Sequence, residues 1–365
     1  MHIPDGYLSP ATCVAAYVVT LPFWYLALKK VDRQLNSRMV PLLAVFSAFS
    51  FVIMMFNLPL PGGTTGHAVG LGIAAVVLGP WAGMLAISIA LLIQAVFFGD
   101  GGISTLAANC LNMGVVGVGV AYAVYRLAAG RAPLDAPRRV FAAGLAGYLG
   151  LNAAALLTAV EFGVQPLWFH DADGTPLYAP YPLAIAVPAM MIGHLGIAGI
   201  AEAVVSAGLL SYLQRSDPGL LRLSAPAAAA AGPVAVPEPV LAATGWSGAR
   251  RLWAILALLM VFTPLGLVAT GVAWGEWGSE DFGDPAMRQE IALASADQAP
   301  PAEAPRGLAS LATLWRSPIP DYEVPFLPSG AGYVLSAMLG TGLVILLWLV
   351  AAWLVGRARG QPVRS

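Results

Sequence analysis

The chain has 365 residues, 58% of them hydrophobic and only 10% charged, with a mean hydropathy of +0.76. That is too little polar surface for a soluble globule of this length, so the composition predicts a multi-pass membrane protein. A net charge of -1 and a pI near 6.4 leave no basic excess to neutralise phosphates, which excludes nucleic acid as a partner.

At the roughly 20 apolar residues a bilayer requires, predicted spans fall in chain order at Leu8–Leu28, Val40–Phe56, Ala68–Gly79, Trp81–Phe98 and Ser104–Leu127, then at Val140–Phe162, Pro182–Leu213, Leu252–Val272 and Ala331–Val355. The expected fold class is therefore an all-α polytopic membrane protein of about nine transmembrane helices, a seven-helix bundle followed by a two-helix unit. The third span is short and Gly-rich, and Gly79-Pro80 divides it from the fourth, which suggests an irregular hairpin inside the bundle. Of the 18 Lys and Arg, only Arg288, Arg306 and Arg316 fall on one side of this arrangement. The opposite, basic side is then cytoplasmic, and an odd number of spans leaves the N-terminus outside. The first apolar run has no basic flank before it, so no cleavable signal is expected, and the bulky His2 predicts that Met1 is retained.

Residues 1–223 read as one membrane unit and 224–249 as an Ala/Pro-rich cytoplasmic linker. Residues 250–365 form the two-helix unit, whose long outer loop, 273–330, carries Glu276, Glu280, Asp281, Asp284, Glu290, Asp297, Glu303, Asp321 and Glu323. Its composition predicts a solvated, partly disordered segment. The functional alternative is a collar that attracts cations or rests on a metal site. Cys13 and Cys110 both fall inside predicted spans and are expected to be free, buried thiols rather than a disulfide.

The chemistry concentrates at the amino end. A terminal amine, the amide nitrogen of residue 2 and the His2 imidazole can close two fused chelate rings around a divalent ion. His67, in the loop Gly62-Gly63-Thr64-Thr65-Gly66-His67, would supply a fourth nitrogen. A flat nitrogen set favours Ni(II) or Cu(II) over Mg, Ca or Mn, which prefer oxygen, and over Zn, which prefers a tetrahedron. The topology puts both segments on the same, outer face.

Other polar groups are candidates of lower rank. His194 and Glu202 lie two helical turns apart in the seventh span; they are either a buried polar pair that helps helices pack or a second station on an inward path. Gln94, Asn109, Asn112 and Asn152 are read as interhelical hydrogen bonders. Asn109, close in sequence to Gly101-Gly102, is also a candidate second-shell support for the ligands. His170, Asp171 and Asp173 read as an ordinary solvated loop, and the glycines 114, 117, 119, 144 and 147 as sites of close helix packing.

The opening Met1-His2-Ile3-Pro4-Asp5-Gly6 resembles the start of the NikM/CbiM substrate-capture (S) components of energy-coupling-factor (ECF) nickel and cobalt transporters. Gly101-Gly102-Ile103-Ser104-Thr105-Leu106-Ala107-Ala108-Asn109 is similar to a second run of that family, and Pro61 to His67 looks like its nickel branch. Thr263-Pro264-Leu265-Gly266-Leu267, Trp274-Gly275-Glu276-Trp277 and Pro320-Asp321-Tyr322 resemble the auxiliary subunit NikN, so the chain reads as a fusion of the two. The resemblance implies a metal held by Met1, His2 and His67, the metal being transported cargo rather than a cofactor. It also implies a separate transmembrane coupling (T) subunit, separate cytoplasmic ATPase subunits, and residence in the cytoplasmic (inner) membrane, in contact with lipid.

The only lysines, Lys29 and Lys30, follow no Gly-rich loop, so the chain has no P-loop and is expected to be a transport component, not an enzyme. Neither is there a His-Glu-x-x-His helix motif for an intramembrane metalloenzyme. The expected activity is Ni(II) capture for ATP-driven uptake. A cobalt component of the same class and a metal channel or sensor without ATP coupling are the alternatives.

Overall fold

The computed structural model describes residues 1–32, 39–222 and 249–358. Most of the linker, 224–248, thus lies outside the described residues. Among these residues, seven helices are long and apolar enough to cross a membrane. They are α1 (Pro10–Asp32), α3 (Leu71–Phe98), α4 (Leu106–Ala129), α5 (Pro137–Trp168), α6 (Leu183–Ser216), α7 (Arg250–Val268) and α10 (Ser329–Ala358). The apolar α2 (Met39–Met54) is shorter, at 16 residues, and buried along its whole length. Two polar helices, α8 (Pro285–Ala294) and α9 (Arg306–Leu311), lie in the loop between α7 and α10.

In place of nine separate helices, the expected third and fourth spans share α3. The chain breaks at Gly79, whose φ of 79° and ψ of 175° are closed to a helical residue. A side chain at Gly83 would lie 3.2 Å from the Ala74 carbonyl oxygen. Residues nine apart in a straight helix are separated by about 13 Å, so the chain doubles back at Gly79-Pro80. Only residues 71–78 of the first arm are helical, too few to cross a membrane by themselves. This hairpin is the centre of the bundle: 72% of the most apolar stretch of α3 is buried, against 22% for α1.

The helices around α3 approach closely because they meet through small residues. A side chain at Gly72 would meet the Gly147 Cα at 2.5 Å, and one at Gly150 the Gly117 carbonyl at 2.7 Å. Gly119, by contrast, faces open space. Cys13 and Cys110 are free and buried.

At one end of the bundle a short hairpin, β1 (Leu58–Pro59) against β2 (Thr65–Gly66), presents His67. Gly62 and Gly63 turn it with φ of 81° and 78°. The acidic loop is folded against this hairpin, which corrects the expectation of a solvated, partly disordered segment. Thr65 donates to the Val272 carbonyl and bridges Ala273, while α8 brings its Ala294 backbone against Gly62. Trp274, Trp277, Phe282, Ile291 and Leu308 are buried. Arg288 fastens the loop to itself by donating to the Phe282, Pro300 and Pro301 carbonyls. Composition missed this because most of the acidic residues sit on the outside of a loop whose tryptophans point inward, while Glu276 turns in with them.

Candidate metal centre

The first nine residues, almost all buried, run into the end of the bundle instead of trailing into solvent. Each backbone group of Ile3 is satisfied there: its N–H donates to Asn109 Oδ1 at 2.8 Å, and its carbonyl accepts from Asn109 Nδ2, Thr105 Oγ1 and the Gly102 N–H. The Asp5 carboxylate accepts from the N–H groups of Ile103 and Ser104, 3.1 and 2.8 Å away, and from the Ser104 hydroxyl. These bonds hold the amino end against residues 101–109. The two glycines make the approach possible, since a side chain at Gly102 would lie 2.4 Å from the Asp5 nitrogen. Asn109, expected to support the ligands, therefore touches the residue next to His2.

The clamp sets Met1 and His2 beside His67, and all three are buried, at 2%, 1% and 7% exposure. The imidazole rings of His2 and His67 have centroids 5.1 Å apart and are tilted by 30°. With metal–nitrogen bonds of about 2 Å, two imidazoles on one ion have centroids roughly 4 to 6 Å apart, so this spacing admits a shared ion. His67 Nδ1 lies 3.1 Å from the Ala68 carbonyl; the carbonyl can only accept, which leaves the lone pair on Nε2. Burial, reinforced by the positive charges of His2 and the terminal amine, pushes the His67 pKa well below its ordinary value and keeps the ring neutral.

Two carboxylates that the ligand set did not include complete the centre. The Met1 amine donates to Glu276 Oε1 at 3.0 Å, and His2 Nδ1 lies 2.7 Å from Asp100 Oδ1. One ligand atom each of His2, Asp100 and Glu276 falls within 4.8 Å of the others. Burial alone would raise the Asp100 carboxyl, but the His2 imidazole, by charge and hydrogen bond, holds it below the usual carboxylate range, with the Tyr322 hydroxyl assisting. His2 Nε2 is buried without a hydrogen-bond partner, an arrangement that costs a protein stability unless something else uses the site.

The remaining candidates fall elsewhere. Glu202 accepts from the N–H groups of Val69, Gly70 and Gly72 at 2.8 to 2.9 Å, capping the start of α3 just after His67. His194 bonds the Met190 carbonyl and lines a small void that also touches Met1. The two do not pair, because the wide turn His194–Ala198, with Gly196 out of helical conformation, shifts the register between them. Asn112 bonds Thr158 and Glu161 across helices, while Asn152 bonds the Tyr148 carbonyl of its own helix. His170 is exposed in a turn closed by Asp171 and Thr175.

Residues 2–220 match the family model for the cobalt uptake substrate-specific transmembrane region, CbiM. The chain belongs to the CbiM family. Residues 250–357 match a second model, the PDGLE domain, so this CbiM-family chain carries an appended unit. It is 60% identical to the "Fused nickel transport protein NikMN" of Rhodobacter capsulatus, over 94% of this chain and 95% of that one. It is 38% identical to the "Probable fused nickel transport protein LarMN" of Lactiplantibacillus plantarum, over 96% of both. A crystal structure titled as that of a transition metal transporter aligns with a TM-score of 0.56 and 50% identity, over 60% of this chain and 94% of its own. The resemblance to NikM/CbiM components and the reading as a multi-pass membrane protein are thereby established.

Proposed function

We propose that the chain is the substrate-capturing component of a metal importer and that its cargo is Ni(II), with Co(II) as the alternative. The observation that carries this reading is the burial of Met1, His2 and His67 beside one another, with the two imidazoles 5.1 Å apart. The donors gathered there are those a planar nitrogen chelate needs: the Met1 amine, the His2 amide and Nδ1 nitrogens, and the His67 imidazole. The nickel-transport names of two relatives matched along nearly their whole length support it. The related cobalt transport protein CbiM of Geobacter sulfurreducens, 33% identical over 60% of this chain, is why Co(II) stays the alternative.

The amine is held by Glu276 and Nδ1 by Asp100. Chelation requires the amine to lose a proton, the amide nitrogen to lose its hydrogen, and Nδ1 to give up the hydrogen it shares with Asp100. Hence loading releases protons and slows in acid. Cu(II) fits the same donors and by the Irving–Williams order binds more tightly in vitro, so discrimination against it rests on copper availability in the cell.

The positive-inside distribution directs the site to the outside of the cytoplasmic membrane. Without a P-loop the chain has no means to hydrolyse ATP, and that step falls to separate cytoplasmic ATPase subunits acting through a transmembrane coupling subunit. Vesicles that hold the chain with such partners should take up Ni(II) only when ATP is supplied. His2→Ala should abolish that uptake, and His194→Ala should reduce it less. Uptake without nucleotide or partners would instead make the protein a passive channel.

A further inference from the structure

Asp100 does not hold His2 unaided. Its second oxygen, Oδ2, accepts from the Tyr322 hydroxyl at 2.5 Å and from Gln94 Nε2 at 3.1 Å, and these two donors lie 3.0 Å apart. Tyr322 belongs to the appended unit, 222 residues further along the chain from Asp100. Its ring is stacked on Phe98 with centroids 4.8 Å apart and stands edge-on to Phe51 and Tyr333, so the hydroxyl has one place to point. The backbone is bent to achieve this: Asp321 and Tyr322 both have positive φ, 54° and 61°, a conformation that costs any residue but glycine and persists where the surroundings impose it. Ser336 secures the bend by donating to the Tyr322 carbonyl at 2.8 Å.

We infer that Tyr322 is a positioning residue through which the appended unit latches the chelate: it fixes Asp100 against His2 Nδ1, so cargo binding at Nδ1 requires this latch to open. The inference rests on the fused-chelate reading, in which Nδ1 is a ligand. An Nδ1 bound to an ion has no hydrogen left for Asp100, so the latched and metal-bound states exclude each other. The same unit also holds the other end of the chelate, since Glu276 accepts from the Met1 amine. Thus the appended unit grips both N-terminal donors, one directly and one through Asp100, and competes with the ion for them. In a transporter such competition serves release.

The test is a titration of Ni(II) into purified full-length protein with an unblocked N-terminus, against a competing chelator, with the absorption spectrum and the release rate recorded together. Tyr322→Phe keeps the stacked ring and removes one hydrogen bond from the latch. It should bind Ni(II) roughly five-fold more tightly, the equivalent of one hydrogen bond, and release it more slowly, with the spectrum of the bound ion unchanged. Asp100→Ala should shift binding in the same direction, and Tyr322→Phe should add nothing on that background. Affinity in Tyr322→Phe that is unchanged or weaker overturns the latch, as does a full effect of Tyr322→Phe in the absence of Asp100. A wild-type spectrum without a planar nickel signature overturns the chelate reading itself and the latch with it, whereas a planar spectrum with an unaffected Tyr322→Phe overturns the latch alone.

Discussion

Met1 and Glu276 are joined by an ion pair of 3.0 Å between the first nitrogen of the chain and a carboxylate 275 residues away. The ammonium is fully enclosed while the carboxylate keeps partial access to water, so Glu276 is the principal compensation for burying that charge. Glu276→Ala should therefore lower the Tm of the metal-free protein, by an amount equivalent to about 1–3 kcal/mol. Saturating Ni(II) should narrow the gap from wild type, because the amine then pairs with the ion. Differential scanning fluorimetry with and without Ni(II) checks both parts.

Asn109 reaches the proposed ligands through Ile3. Replacing it with Ala deprives the Ile3 N–H of its acceptor and removes one of three donors to the Ile3 carbonyl. Outer partners of metal ligands typically govern affinity by ten-fold or more, so Asn109→Ala should weaken Ni(II) binding by about that factor, as isothermal titration reads it, while the protein remains folded.

Acid should oppose loading. His67 is already neutral, held there by burial and by neighbouring positive charge. What the ion must displace are hydrogens on the amine, on the His2 amide and on the Nδ1 that faces Asp100, and each becomes harder to remove as pH falls. Apparent Ni(II) affinity measured at neutral and at mildly acidic pH should therefore drop on acidification, with protons released on binding. An isotherm indifferent to pH would be incompatible with these ligands.

Glu202 carries no metal role in this scheme, yet it fixes the backbone that follows His67. Glu202→Ala strips the acceptor from three buried N–H groups at once. The loss should amount to about 2–4 kcal/mol of stability, seen as a lower Tm with and without metal. That persistence separates it from Glu276→Ala, whose effect metal offsets.

Much of this was legible in the sequence where the chemistry is local. Met1 and His2 adjoin each other, His67 closes a glycine-rich loop, and Gly79-Pro80 marks the central hairpin. Asp100 and Tyr322 had no such signature. The former directly precedes the Gly101-Gly102 turn, a position that in retrospect points into the site, but a lone aspartate at a span end has an ordinary reading as a solvated group. Tyr322 and Glu276 reach the centre only because tertiary packing folds a loop of acidic composition inward on Trp274 and Trp277, and linear periodicity carries no trace of that. His194 and Glu202 are both buried, as the sequence suggests, but they do not meet: eight residues span two turns only in a regular helix, and the wide turn at His194–Ala198 removes that regularity.

The claim beneath all of these is that a free amino end ligates the cargo. The most direct test is the absorption spectrum of Ni(II) bound to the purified protein, once with its native Met1 terminus and once with a single residue added before Met1. The native protein should give the visible band of planar, four-nitrogen nickel, and the extended one should lose both the band and high-affinity binding. Six-coordinate nickel in the native protein, or binding that survives the extension intact, would contradict the account.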